Sequence, residues 1–252
     1  MHTHAAETEE ECAEVTRLTG RSPVGYLASL EGTAGRTCLA HAVWLSEEDR
    51  AALAGHDLAV CHCPSSNLKL GSGLADLAAL RARGVRIGLG ADGAACNNRL
   101  DPWQEMRQAA HVAALRSGPA AVDPRAILFE ATEGAARAIG LGPTTTALGK
   151  GEAADFLVLD PIDPVGAAAF REEELSRSRK GRKADSSQAD SERLIESPAA
   201  LLVFAGSPSW VAETWVGGRR IHPAPETASS DLPERTARVR QRLRERITQT
   251  AR

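Results

Sequence analysis

The stretch LADLAALRARGVRIGLGADG, residues 74–93, reads as helix, stop, strand and polar turn in immediate succession. Residues 74–83 are helix-like, and Gly84 takes the position just past a helix end that glycine favours because it can adopt left-handed dihedrals. Residues 85–91 form a short, bounded apolar run, which suits a buried parallel strand. Asp92-Gly93 then turns the chain at the strand's C-terminal end. The same unit recurs on the N-terminal side. Residues 37–43 and 57–63 read as further buried strands, and residues 8–18 and 46–54 as helices. Ser46 is an N-cap followed by Glu48 and Asp49, acidic groups that suit the positive end of the helix dipole. Alternating strands and helices predict an α/β fold with a parallel sheet, either doubly wound or closed into a barrel. Two longer helices are expected at 102–116 and 123–139, the second capped by Asp123 with Pro124 in its first position.

After Gly140 the pattern changes. Residues 153–160 and 213–221 read as strands, with Gly217-Gly218 as a hairpin turn, so a small β-rich appendage is expected over 141–222. Residues 171–197, dense in Arg, Lys, Glu, Asp and Ser, read as a solvated or disordered insertion. Residues 223–252 read as a helical tail docking on the protein's own body. The formal net charge of −3 and the absence of a long apolar run argue against nucleic-acid and membrane partners. Five scattered cysteines, with no signal-like N-terminus, point to a reducing cytoplasm.

Four polar features fall where a parallel barrel gathers its chemistry, at the C-terminal ends of strands. These are His4-Ala5-Ala6-Glu7, opening a helix; His41; the long loop Cys63–Gly73; and Gly90-Ala91-Asp92-Gly93. His and Asp side chains converging on one mouth can hold Zn²⁺, with a nearby carboxylate to shuttle protons. Singly these signals are weak: a lone His at a strand end is more often structural, and Ala-Asp-Gly more often a turn. Their combination is stronger than any one of them. In Cys61-His62-Cys63 the cysteines share one strand face and the histidine points to the other, so a metal triplet is disfavoured.

Here the chain resembles the amidohydrolase superfamily, in the branch of guanine and adenosine-type deaminases and triazine chlorohydrolases. His4-Ala5-Ala6-Glu7-Thr8 is similar to that branch's strand-five motif, and Cys38-Leu39-Ala40-His41 to strand six. Asn67-Leu68-Lys69-Leu70-Gly71-Ser72-Gly73 is similar to the loop after strand seven, and Leu89 to Asn98 to strand eight. The run from Gly149 to Asp160 is similar to the return into the flanking β-sandwich. The resemblance covers nearly all of residues 1–222 outside the charged insertion, and implies the C-terminal half of a metal-dependent (β/α)8 TIM-type barrel. Residues 1–140 would hold strands five to eight.

The resemblance further implies His4 and Asp92 as ligands of Zn²⁺ or Fe²⁺, with two more histidines from a strand-one His-x-His pair. His2-Thr3-His4 imitates that pair, but only 37 residues separate His4 from His41, too few for four βα units at ~30 residues each. Glu7, His41 and Asp92 would be catalytic: Glu7 the acid–base group, His41 beside the reacting oxygen, Asp92 the proton acceptor. Asn67, Leu70 and Asn97 would line the substrate pocket. The implied reaction is hydrolytic deamination of a purine- or adenosine-like heterocycle, with s-triazine dechlorination as the rival on the same site. The other rival is an inactive fragment, or a subunit that needs an N-terminal partner; alone, such a chain is expected to bind Zn²⁺ poorly and to turn over nothing. Homo-oligomers are common in the family.

Overall fold

The computed structural model describes residues 1–33, 37–141, 148–160 and 197–222. Four parallel strands form one sheet: β1 (His2–Ala5), β2 (Cys38–His41), β3 (Ala59–His62) and β4 (Ile87–Leu89). Their spatial order follows the sequence, β1-β2-β3-β4. A doubly wound sheet reverses its order at a switch point, and no reversal falls among these four strands. The crossovers carry α1 (Glu9–Thr19) and α2 (Pro23–Ala28), then α3 (Glu47–Gly55), then α4 (Pro64–Leu70) and α5 (Leu77–Ala82). Four of these helices start on side-chain caps, α2 on Ser22, whose hydroxyl accepts from the Gly25 amide. The Thr8 side chain accepts from the Glu11 amide, Ser46 forms a capping box with Asp49, and Asp76 accepts from the Ala79 amide. Gly84, with φ of 70°, lies just past the end of α5 as expected.

Alternation along the strands gives the sheet two unlike faces. One carries Ala5, Leu39, Val60 and Ile87, all buried with Val24, Leu53, Leu77 and Leu80 of the covering helices. Burying side chains of this size stabilises by about 1.5–3 kcal/mol each, so this layer is the main core. The other face is lined by small residues: Cys38, Ala59 and Cys61 pack with Ala138 of α8 (Glu133–Ala138).

Beyond the sheet, α6 (Pro102–Ser117) and α7 (Pro124–Ala131) form a second core around Trp103, Met106 and Ile127. Val203 of α9 (Pro198–Ala205) joins that core. An antiparallel sheet follows, β5 (Phe156–Leu159), β6 (Val211–Val216) and β7 (Arg219–His222), in the order β5-β6-β7. Gly217 and Gly218, with φ of 55° and 73°, make the β6–β7 turn, whose two positive φ angles match a type I′ hairpin.

Several expectations need correction. The loop expected from Cys63 to Gly73 contains α4: Pro64 starts it, and Gly71 in the left-handed region ends it. The helix expected at 123–139 breaks at Thr132 (φ −124°, ψ −98°) into α7 and α8. His4 does not open a helix but lies on β1, with Thr8 as the cap of the helix that follows. Helix α9 was not foreseen. Residues 171–196 of the charged insertion and the whole tail 223–252 lie outside the described residues.

Candidate metal and catalytic site

Strand ends bring His4, His41 and Asp92 together, and one potential ligand atom from each lies within 4.8 Å of the others. His4 and His41 reach one another by different routes. His4 pairs with Ala40 and points to the small-residue face. By alternation His41 belongs with Leu39 on the opposite face. Its φ of 75° takes it out of the pleat, and its ring stacks on His4 at 5.2 Å between centroids, 25° from parallel. Ala6, Ala42 and Asp92 also have positive φ, at 54°, 50° and 59°. Left-handed backbone in residues with a Cβ is unfavourable and persists where surrounding contacts over-determine it. Here it clusters at the C-terminal ends of β1, β2 and β4. The contacts that hold it include the amides of Val43 and Trp44, which both donate to the Ala6 carbonyl.

Each functional side chain has a positioning partner. The His41 ring is buried, and its Nδ1 lies 2.8 Å from Asn67 Oδ1, so the Nδ1–H donates to the amide oxygen and Nε2 faces the site. That Nε2 is 3.6 Å from Glu7 Oε2. Glu7 Oε1 accepts from the Ser72 hydroxyl at 3.0 Å, and the Ser72 carbonyl accepts from Trp44 Nε1 at 2.7 Å. The Glu7 backbone is fixed by Glu11, whose carboxylate accepts from the amides of Ala6 and Glu7 at 3.0 and 2.7 Å. Asp92 Oδ2 accepts from the Ser66 hydroxyl at 2.6 Å, in the range of a strong bond to a charged acceptor. Burial pushes the Asp92 carboxyl up, but hydrogen bonds from Ser66, the Gly93 amide and Cys96 outweigh it and hold the group below its ordinary range.

Helix α4 is the hub of this arrangement, since Ser66 holds Asp92 and Asn67 holds His41. Buried Glu105 of α6 ties α4 to the Asp92 loop by accepting from the Ser65 amide at 3.1 Å and Asn97 Nδ2 at 2.6 Å. On the outer side, Lys69 Nζ donates to Ala95 O and Asn98 Oδ1, both at 2.7 Å.

Of the residues expected to act, His4, Glu7, His41 and Asp92 are gathered at one place. The three expected to line the pocket are placed differently. Asn67 stands behind His41. Asn97 is 3 % exposed, donates to Glu105 and accepts from the backbone amides of Arg99 and Leu100. Leu70 is 54 % exposed at the end of α4. Sequence reasoning missed Ser66, Ser72, Glu11 and Glu105. Of these, only the serines carried a signal, through their place in the stretch between two expected strands.

Two imidazoles and a carboxylate are a donor set that zinc accepts in catalytic centres, three protein ligands with a position left for water. Tetrahedral bonds of about 2.0–2.2 Å set ligand atoms about 3.3–3.6 Å apart, so atoms that lie within 4.8 Å of one another must draw closer by up to about 1.5 Å to share an ion. The residues present therefore fit a divalent metal. A carboxylate (Glu7) stands beside the cluster, in reach of a reacting group.

Known proteins are similar to this chain in sequence and in fold. The chain is 40% identical over 162 residues to a 5-methylthioadenosine/S-adenosylhomocysteine deaminase of Bacillus cereus, covering 64% of this chain and 37% of the relative. It is 41% identical over 165 residues to a 5'-deoxyadenosine deaminase of Methanothermobacter thermautotrophicus, covering 65% of this chain and 38% of that protein. The chain thus spans well under half the length of these curated relatives. Among solved structures, an adenosine deaminase from Xanthomonas campestris with bound zinc superposes with a TM-score of 0.78 at 27% identity, over 97% of this chain and 51% of that one. The zinc complex of atrazine chlorohydrolase TrzN from Arthrobacter aurescens gives 0.71 at 26% identity, over 94% and 47%. Residues 1–221 match the profile of the Amidohydrolase family, and the chain belongs to that family.

Proposed function

We propose that this chain carries strands five to eight and the acid–base machinery of a zinc-dependent aminohydrolase acting on the amino group of an adenosine-like ring. The single observation that carries the reading is the convergence of His4, His41 and Asp92 with Glu7 at the mouth of a parallel sheet. In this reading residues 1–140 are the barrel portion and residues 141–222 the flanking β-sandwich. His4 and Asp92 are the ligands this chain supplies, with His41 beside them. When bound, zinc lowers the pKa of its water toward neutrality and so makes a nucleophile available at neutral pH.

The chain's own residues then divide the remaining work. Asp92, held ionised by Ser66 and the Gly93 amide, accepts the proton of the attacking water as the water adds to the amine-bearing ring carbon. Glu7, kept in place by Ser72 and Glu11, delivers a proton to the neighbouring ring nitrogen. It then helps carry one to the departing amine, so that ammonia leaves. His41 presents Nε2 to the oxygen that gains charge, because Asn67 fixes the ring through Nδ1. Resemblance to relatives that deaminate methylthioadenosine, S-adenosylhomocysteine and deoxyadenosine supports an adenosine-type substrate over a triazine.

The test is a fusion carrying strands one to four of such a relative ahead of Met1. The fusion is offered 5'-methylthioadenosine, S-adenosylhomocysteine, 5'-deoxyadenosine and atrazine, with ammonia and chloride release measured. Ammonia release that Glu7→Gln abolishes while zinc content stays near normal supports the proposal. A folded, zinc-loaded fusion that releases chloride but no ammonia contradicts it.

A further inference from the structure

Packing explains Trp44 poorly. It lies just beyond the end of β2, its side chain is 43 % exposed, and its ring borders an open cavity of about 560 Å³ together with Cys12, Leu45 and Gly73. An indole left half in solvent gains little of the burial that usually retains a large aromatic side chain. Its polar groups, by contrast, are all engaged. Nε1 donates to the Ser72 carbonyl at 2.7 Å, the backbone amide donates to the Ala6 carbonyl at 3.0 Å, and the Trp44 carbonyl accepts from the Cys12 thiol at 3.6 Å.

The first two of these bonds lead to Glu7. Ala6 precedes it with a positive φ of 54°, so the Val43 and Trp44 amides on the Ala6 carbonyl fix the backbone from which the Glu7 side chain springs. Ser72 meets the far end of that side chain, donating its hydroxyl to Oε1 at 3.0 Å. The carbonyl that the indole holds belongs to the peptide joining Ser72 to Gly73. Gly73 has a φ of 121° and passes so close to Val43 that a Cβ there would lie 2.9 Å from Val43 Cγ1. Glycine is needed at that place, and glycine leaves the peptide many orientations. The Ser72 amide, donating to the Asn67 carbonyl at 2.9 Å, fixes one side of Ser72, and the indole bond fixes the other. With Oε1 occupied in this way, Oε2 is left facing His41 Nε2 at 3.6 Å.

We propose that Trp44 is a positioning residue for Glu7, acting through Ser72, and that it makes Oε2 the oxygen on which Glu7 carries its proton. Its catalytic consequence rests on the aminohydrolase reading; the hold of Trp44 on Glu7 is a property of this chain alone. A carboxyl that serves a ring nitrogen and then a departing amine must present one oxygen at a fixed place through both steps. When Nε1 is lost, the peptide between Ser72 and Gly73 turns freely, the Ser72 hydroxyl leaves Oε1, and Glu7 samples other rotamers.

The test has two parts. In the 252-residue protein with ¹³C in the side-chain carboxyls of its glutamates, Glu7→Gln identifies the Glu7 resonance. At constant pH, Trp44→Phe, which keeps a ring but no donor, should move that resonance in the same direction as Ser72→Ala. Trp44→Phe/Ser72→Ala should move it no further than Ser72→Ala does. A resonance that Trp44→Phe leaves in place, or two shifts that simply add, overturns the proposal whatever the chain catalyses. In the fusion with strands one to four, Trp44→Phe should lower kcat about tenfold or more, with KM changed less than about twofold and zinc content kept. The double variant should be no slower than Ser72→Ala. Equal kcat in Trp44→Phe and the wild-type fusion also overturns the proposal. A wild-type fusion that releases no ammonia counts against the aminohydrolase reading, and the carboxyl resonance then decides the role of Trp44 by itself.

Discussion

His62 provides a sharp test of the electrostatic account. It lies on the helix-covered face with Val60, is 1 % exposed, and neither ring nitrogen has a hydrogen-bond partner among the described residues. Burial, reinforced by the positive Arg81 and by His41, depresses its pKa from 6.5 to about 3. The unfolded chain therefore takes up a proton that the folded chain excludes. Stability is full above about pH 6.5 and drains as pH falls toward 3. At pH 5 the unfolded histidine is 1.5 pH units below its pKa, which amounts to about 2 kcal/mol of lost stability. Almost none is lost at pH 7.5. His62→Leu removes the titration and keeps a side chain of similar bulk. Urea denaturation at pH 7.5 and pH 5 should show the wild-type protein losing about 2 kcal/mol more than the variant between the two. Equal losses in both proteins would refute the reasoning, since other groups would then be responsible for the acid sensitivity.

Two further outcomes follow from paired groups. Arg81 meets the buried Glu130 through two bonds of 2.7 and 2.8 Å, which only partly offset the burial that pushes this carboxyl up. Arg81→Leu should destabilise by about 3–5 kcal/mol, and Arg81→Leu/Glu130→Leu should recover most of that in urea melts, because the uncompensated charge is removed with its partner. Ser66→Ala takes the hydroxyl from Asp92. Zinc affinity measured against a chromophoric chelator should fall about 10-fold or more, with the unfolding midpoint less affected.

The parallel sheet was legible because its residues obey local rules. Apolar runs of strand length, capping residues at Ser46 and Asp123, and Gly84 past a helix end all declare themselves within a few positions. Strand-end placement marked His4, His41 and Asp92 as candidates, weak singly and stronger together, and the structure brings the three close to one another. What could not be read depends on contacts distant in sequence. Residues 64–70 look like a polar loop, yet Ser65, Ser66 and Asn67 are buried as a helix because Glu105, Asp92 and His41 accept or share their hydrogen bonds. Asn97 looked free to meet a ligand, but Glu105, eight residues on and buried in α6, takes its amide. Helix α9 was hidden by the charged stretch before it. It is held by Trp103 packing against Gly206 and by Arg107, whose guanidinium donates to the carbonyls of Phe204 and Gly206 at 2.8 Å. The inward turn of His41 rests on a positive φ that strand alternation alone would not predict.

The most direct test of the central claim is cobalt(II) binding, read by its visible ligand-field spectrum as a stand-in for zinc. The account predicts weak binding of one ion by nitrogen and oxygen ligands, with no thiolate charge-transfer band. It should be unchanged by Cys61→Ser and lost in His4→Ala and Asp92→Asn. Binding that survives both of those variants would contradict the assignment of His4 and Asp92 as the ligands that this chain supplies.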